Sequence, residues 1–103
     1  MIKITPPQSL PFIPSTQEIA YLNAQLYPRP NGTVIFSCQL LDANRRPITP
    51  DPSVWAAKQP SQADVAAWCA GPAPEALDSF FQDIFRRCLP FAAKLGLTGA
   101  TVE

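Results

Sequence analysis

The sequence predicts an α+β domain. A small antiparallel β-meander over about residues 19–49 packs against C-terminal helices at about 62–70 and 75–95, with an extended Pro-rich arm at 1–14. Three observations carry this. Thr33–Leu41 (TVIFSCQLL) is β-branched and aromatic with a period of two. Glu75–Leu89 (EALDSFFQDIFRRCL) places Leu77, Phe80, Phe81, Ile84, Phe85, Cys88 and Leu89 at steps of three, four and seven, which is one helical face. Nine of the 13 prolines fall in the first 52 residues, too many for a helical bundle there. With 103 residues and 47% apolar content, the chain reads as a single small domain: arm 1–14, hairpin or meander 15–49, helical part 50–103.

The arm begins with a β-prone Met1–Thr5 and continues as PPQSLPFIP. Proline fixes φ and pushes its predecessor toward extended backbone, so the segment reads as polyproline-like. Its Leu10, Phe12 and Ile13 need cover, either on their own domain or on a neighbouring subunit. If the neighbour provides it, deleting residues 1–14 would weaken oligomerisation and leave the fold intact.

Residues 15–27 admit two readings. Ser15 with Glu18 resembles a helix capping box, and Ile19, Leu22 and Leu26 fit a helical period. Ala20, Leu22, Ala24 and Leu26 also alternate with Ile19, Tyr21, Asn23, Gln25 and Tyr27, as in a strand. The turn PRPNG and the strand after it favour a strand over Ile19–Tyr27, with helix as the alternative. Val34, Phe36, Cys38 and Leu40 form one face of the next strand, and Ser37 and Gln39 the other. Asp42–Arg45 reads as a turn, and Arg46–Thr49 as a short strand that Pro47 confines to an edge.

Pro52–Lys58 suits one helical turn carrying Val54 and Trp55. Ser61–Asp64 resembles a capping arrangement, with Asp where Glu or Gln is preferred. Val65, Trp68 and Cys69 line a face of the helix that follows, and Gly71-Pro72 stops it. In the main helix, Asp83 and Arg87 make an i,i+4 pair. Pro90 interrupts the helix, Phe91–Leu95 continues after a kink, and Gly96 and Gly99 flank a frayed tail.

The chemical inventory is sparse. There is no histidine, so Ser-His-Asp and Cys-His catalysis are excluded. None of the four glycines stands in a phosphate-cradling pattern. Cys38, Cys69 and Cys88 have no metal-ligand spacing and read as reduced thiols. The expectation is no enzyme, no cofactor, no metal and no small-molecule substrate. Lys+Arg equals Asp+Glu, so no basic footprint for nucleic acid or an anionic membrane is expected. No stretch is apolar enough to span a bilayer, and the proline-broken start does not read as a signal peptide. What remains is contact with other proteins. Leu10, Phe12, Ile13, Tyr21, Tyr27, Trp55 and Phe91 are the candidate interface residues.

The arrangement resembles the small accessory virion proteins of tailed bacteriophages. The residues that carry the resemblance are the arm Thr5–Pro14, the hairpin-like Ile19–Ile48 (IAYLNAQLYPRPNGTVIFSCQLLDANRRPI) and the helical tail after Pro72. It covers most of the chain without a diagnostic motif, so no residue role transfers. It implies a structural role in a capsid, neck, baseplate or fibre attachment, as a homo-oligomer contacting other virion proteins and located in the virion. A cytoplasmic adaptor or regulatory binding module is the alternative.

Overall fold

The structure, a computed structural model, describes residues 1–70 and 80–103. In chain order the described elements are β1 (Ile2–Gln8), β2 (Ile19–Pro28), β3 (Val34–Leu41), β4 (Pro47–Ile48), α1 (Pro52–Lys58), α2 (Gln62–Ala70), α3 (Phe80–Leu95) and β5 (Ala100–Val102). The strands form one antiparallel sheet in the order β4-β3-β2-β1-β5, and the three helices lie on one face of it.

Period-two patterning decides which face they cover. In β2, Ala20, Leu22, Ala24 and Leu26 are buried, and so are Val34 and Leu40 of β3. Ile2 and Ile4 of β1 and Ile48 of β4 extend this inner face. The helical side contributes Val65 from α2 and Phe85, Cys88, Phe91, Ala92 and Leu95 from α3. Phe91 is wholly buried and is the centre of an aromatic group, with ring centroids 4.7 Å from Phe36, 5.9 Å from Trp55 and 6.5 Å from Trp68.

The turns follow their sequence chemistry. Asn31 accepts the Thr33 N–H at 3.1 Å in the β2–β3 loop, and Gly32 supplies a φ of 85°. Asp42 Oδ1 accepts the N–H groups of Asn44 and Arg46 at 2.8 and 2.9 Å, closing the β3–β4 turn. Asp51 caps α1 by accepting from Ser53 and Val54. Ser61 Oγ accepts the Asp64 N–H at 3.1 Å and Asp64 Oδ2 accepts the Ser61 N–H at 3.2 Å, a reciprocal box closed with aspartate.

Three expectations need correction. First, the proline-rich start is not an arm. Its first part is β1, paired on one side with β2 and on the other with β5. Pro6 and Pro7 have no N–H to give the ladder, and the β1–β2 register shifts between Lys3 and Gln8. The rest tucks under the domain: Phe12 and Ile13 are buried, and the Phe12 carbonyl accepts the Asp51 N–H at 2.7 Å. Removing residues 1–14 would therefore remove a strand flanked on both sides, along with part of the core.

Second, the tail after Gly96 is ordered as β5, which the period-based reading missed because a three-residue strand has no measurable period. Its entry needs Gly99 (φ 69°), where a Cβ would run into the Thr5 carbonyl. Third, the sheet has five strands and spans more of the chain than 19–49. α3 runs through Pro90 to Leu95, in line with the helix expected at about 75–95, and Phe91, Ala92 and Leu95 are buried beyond the proline. The expected stop at Gly71-Pro72 and the first turn of the helix expected from residue 75 fall outside the described residues.

Candidate functional site

The face of the sheet turned away from the helices is the feature that packing within the domain leaves over. Strand alternation assigns it Tyr21, Asn23, Gln25 and Tyr27 from β2, and Ile35, Ser37, Gln39 and Leu41 from β3. These residues are directly paired: Tyr21 with Leu41, Asn23 with Gln39, Gln25 with Ser37, Tyr27 with Ile35. None of the eight is ionisable at neutral pH. The polar ones are amides and hydroxyls, each both donor and acceptor.

The two ends of this face differ. At one end Arg45, held at φ 62° in the β3–β4 turn, reaches across the sheet. Its guanidinium lies 5.1 Å from the Tyr21 ring centroid and 3.2 Å from the Glu103 carboxylate. Tyr21 is half-covered, and Leu41 is buried although it lies outside the main core. At the other end nothing comparable is placed among the described residues. Tyr27 is 50% exposed and its partner Ile35 39% exposed, a neighbouring aromatic–aliphatic pair facing solvent.

The sequence-predicted interface residues do not gather on this face. Phe12, Ile13 and Phe91 are core residues. Leu10 and Trp55 are partly buried against that core, Trp55 with its ring centroid 6.4 Å from Phe12. Only Tyr21 and Tyr27 lie on the outer face, and only Tyr27 is open. Ile35, Asn23, Gln25, Ser37 and Gln39 were not selected. Their signal was the charge-free polar side of the two alternating strands, which a search for large apolar groups passes over.

Elsewhere the chemistry is structural. Arg87 donates to both Asp83 carboxylate oxygens at 3.0 and 3.1 Å, and to the Trp68 carbonyl at 3.0 Å. It thereby ties α3 to the C-terminal carbonyls of α2, where a cation suits the helix dipole. Burial pushes the thiols of Cys38 and Cys88 up to about 12, so both are neutral and weakly nucleophilic. No group of three His, Cys, Asp or Glu among the described residues is placed to hold a metal ion. An open groove of about 630 Å³ lies between the Pro11–Pro14 loop, Thr49–Asp51, Val54 and Leu95. Its polar lining is Thr49, Asp51 and Lys58, and Asp51 Oδ1 is engaged by the α1 backbone. Among the described residues no helix is long and apolar enough to cross a membrane.

No family model, curated protein or solved structure matches the chain, so the outer sheet face stands on its own geometry as the candidate site.

Proposed function

We propose that this protein is a non-enzymatic assembly component that acts by protein–protein contact through the outer face of its sheet. The observation that carries the reading is the open end of the β2–β3 surface, where Tyr27 and Ile35 are exposed side by side among uncharged residues. Interface centres are depleted in charge and enriched in tyrosine, since an uncharged surface is cheap to dehydrate. In the arrangement-level resemblance to accessory virion proteins, this face would dock the protein within a phage particle.

The test is site-specific photo-crosslinking. A photoreactive phenylalanine at Ile35 should capture a discrete partner in producing cells, and the same residue at exposed Val54 on α1 should not. Capture of a capsid or tail protein in purified particles supports the virion role. Capture of a non-particle protein points instead to an adaptor. Equal, diffuse labelling from both positions rejects the outer face as the site.

A further inference from the structure

We propose that Asn31, in the β2–β3 loop, is a self-modification site: the backbone nitrogen of Gly32 attacks its side-chain amide and converts it to aspartate and isoaspartate. The reaction needs no enzyme, and it is independent of what the outer sheet face contacts.

The atoms balance with water as the only co-reactant. Gly32 N gives its proton to solvent and bonds to Asn31 Cγ. The Cγ–Nδ2 bond breaks, and the nitrogen takes up a proton from solvent and leaves as ammonia. Water then opens the five-membered imide. Opening at Cγ gives aspartate, and opening at the Asn31 backbone carbonyl routes the chain through Cγ as isoaspartate.

The first observation is where the hydrogen-bond donors point. Attack at Cγ develops negative charge on Asn31 Oδ1. Thr33 donates to that oxygen twice, from its backbone N–H at 3.1 Å and from its hydroxyl at 2.7 Å. A backbone N–H can only donate, which fixes the oxygen on that side of the amide. Two donors held on the atom where charge develops form a small oxyanion hole. They leave Nδ2, the leaving nitrogen, without a partner among the described residues.

The second is room. A Cβ added at Gly32, which has a φ of 85°, would meet nothing within 4 Å, so the imide has space to close. Residues 29–33 are all exposed, so water reaches the ring.

The third is the contrast with Asn44 in the β3–β4 turn. One contact opposes attack at Asn31: the Gly32 N–H donates to the Arg29 carbonyl at 3.0 Å and must let go. In an exposed loop water replaces such a bond at little net cost. Asn44 is also exposed, and the nitrogen after it is held in the same way, Arg45 N–H donating to the Asp42 carbonyl at 2.9 Å. Asn44 Oδ1 receives no donor among the described residues, and Arg45 carries a side chain where Gly32 has none. Asn23, the remaining asparagine, lies within β2, paired with Gln39. The new carboxylate would give a chain of zero formal net charge one negative charge, in the loop joining the strands of Tyr27 and Ile35.

Peptide mapping by mass spectrometry of the folded protein, incubated at mildly alkaline pH, tests this. Asn31 should gain one mass unit with time, as aspartate and isoaspartate forms, while Asn23 and Asn44 stay unchanged. Thr33→Val keeps the backbone N–H and removes the hydroxyl, and should slow the reaction about threefold to tenfold, the worth of one hydrogen bond. Thr33→Ser keeps the hydroxyl and should keep the wild-type rate. In urea, where the turn is lost, wild type and Thr33→Val should react equally fast. Far-UV circular dichroism confirms the fold of each variant, and Thr33→Ala replaces Thr33→Val if the latter does not fold. An unmodified Asn31 in the folded wild type overturns the proposal, since the Arg29 bond then protects the site. Equal folded rates for wild type and Thr33→Val overturn it too, as does a Thr33→Val effect that persists in urea, or an Asn44 that reacts as fast as Asn31.

Discussion

Replacing Phe91 by alanine should cost this domain much of its stability. Phe91 is fully buried, and its ring neighbours come from three different elements: Phe36 from β3, Trp55 from α1 and Trp68 from α2. A hole at such a junction collapses poorly, since closing it would move α1, α2 and β3 toward one another at once. Phe→Ala in a core costs about 3–5 kcal/mol, and aromatic pairs add about 0.5–1.5 kcal/mol each beyond burial. The expected loss is therefore at the upper end, about 4–5 kcal/mol, against a total of about 5–15 kcal/mol for a small domain. In melting temperature that is a fall of about 20–30 °C. Phe91→Leu keeps most of the volume and should lose only about 1–2 kcal/mol. Urea titration followed by far-UV circular dichroism measures both, and avoids the fluorescence changes expected from Trp55 and Trp68 beside the cavity. A loss below about 1 kcal/mol for Phe91→Ala, or equal losses for Ala and Leu, would refute the packing argument. Such a result would return Phe91 to the interface role predicted from sequence, where truncation weakens association and leaves the monomer nearly unchanged.

Three further outcomes are expected. Gly99→Ala should destabilise by about 2–4 kcal/mol, because the positive φ alone costs ~1–2 and the new Cβ must displace the Thr5 carbonyl. Faster amide exchange at Thr5, which donates to the Gly99 carbonyl at 3.1 Å, locates the damage. Arg87→Leu should cost about 2–3 kcal/mol by thermal denaturation, since it leaves Asp83 and the Trp68 carbonyl without their donor in a half-buried site. Arg87→Lys recovers the charge but not the two-pronged geometry, and should recover only part of the loss. The Cys38 and Cys88 thiols should resist iodoacetamide at pH 8 until urea unfolds the chain. Their pKa values rise from 9.0 to about 12 on folding, so the folded state holds more protons between those values. Their contribution to stability is complete below about pH 9 and declines as pH rises toward 12, which a pH series of urea midpoints reads directly.

The parts of the fold that were legible have a repeating local cause. The β2–β3 hairpin follows from ten and eight residues of alternation around an Asn-Gly turn, and α2 from its Ser61–Asp64 box. Asp42 and Pro47 announced the second turn and the edge strand. The segments that were misread depend on distant partners. Nothing local in Ile2–Gln8 says that Ala100–Val102 will return to pair with it, and prolines at 6 and 7 argue for an arm until both neighbours are known. α3 runs past Pro90 to Leu95 as its expected range has it, although the burial of Phe91 and Leu95 that holds the helix together there is tertiary. Of the interface candidates, Phe12, Ile13 and Phe91 lie in the core and Leu10 and Trp55 pack against it, because a domain of 103 residues needs most of its large apolar side chains there. Tyr27, also a candidate, stays exposed on the outer face beside Ile35.

The side chain of Gln62 has a consequence for strand register. Arg29 donates to the Thr33 carbonyl at 2.8 Å, and alternation from that pair points the N–H and C=O of Val34 away from β2, along the outer edge of β3. Gln62, at the start of α2, meets both: its Oε1 accepts the Val34 N–H at 3.3 Å, and its Nε2 donates to the Val34 carbonyl at 2.9 Å. One amide side chain thus imitates one residue of a sixth strand. If β3 slipped by a single position, the groups presented there would turn inward and Gln62 would lose both bonds. The helix therefore reads the strand's alignment and occupies the spot where a foreign strand would begin to add, proofreading the hairpin and blocking its edge with the same two hydrogen bonds.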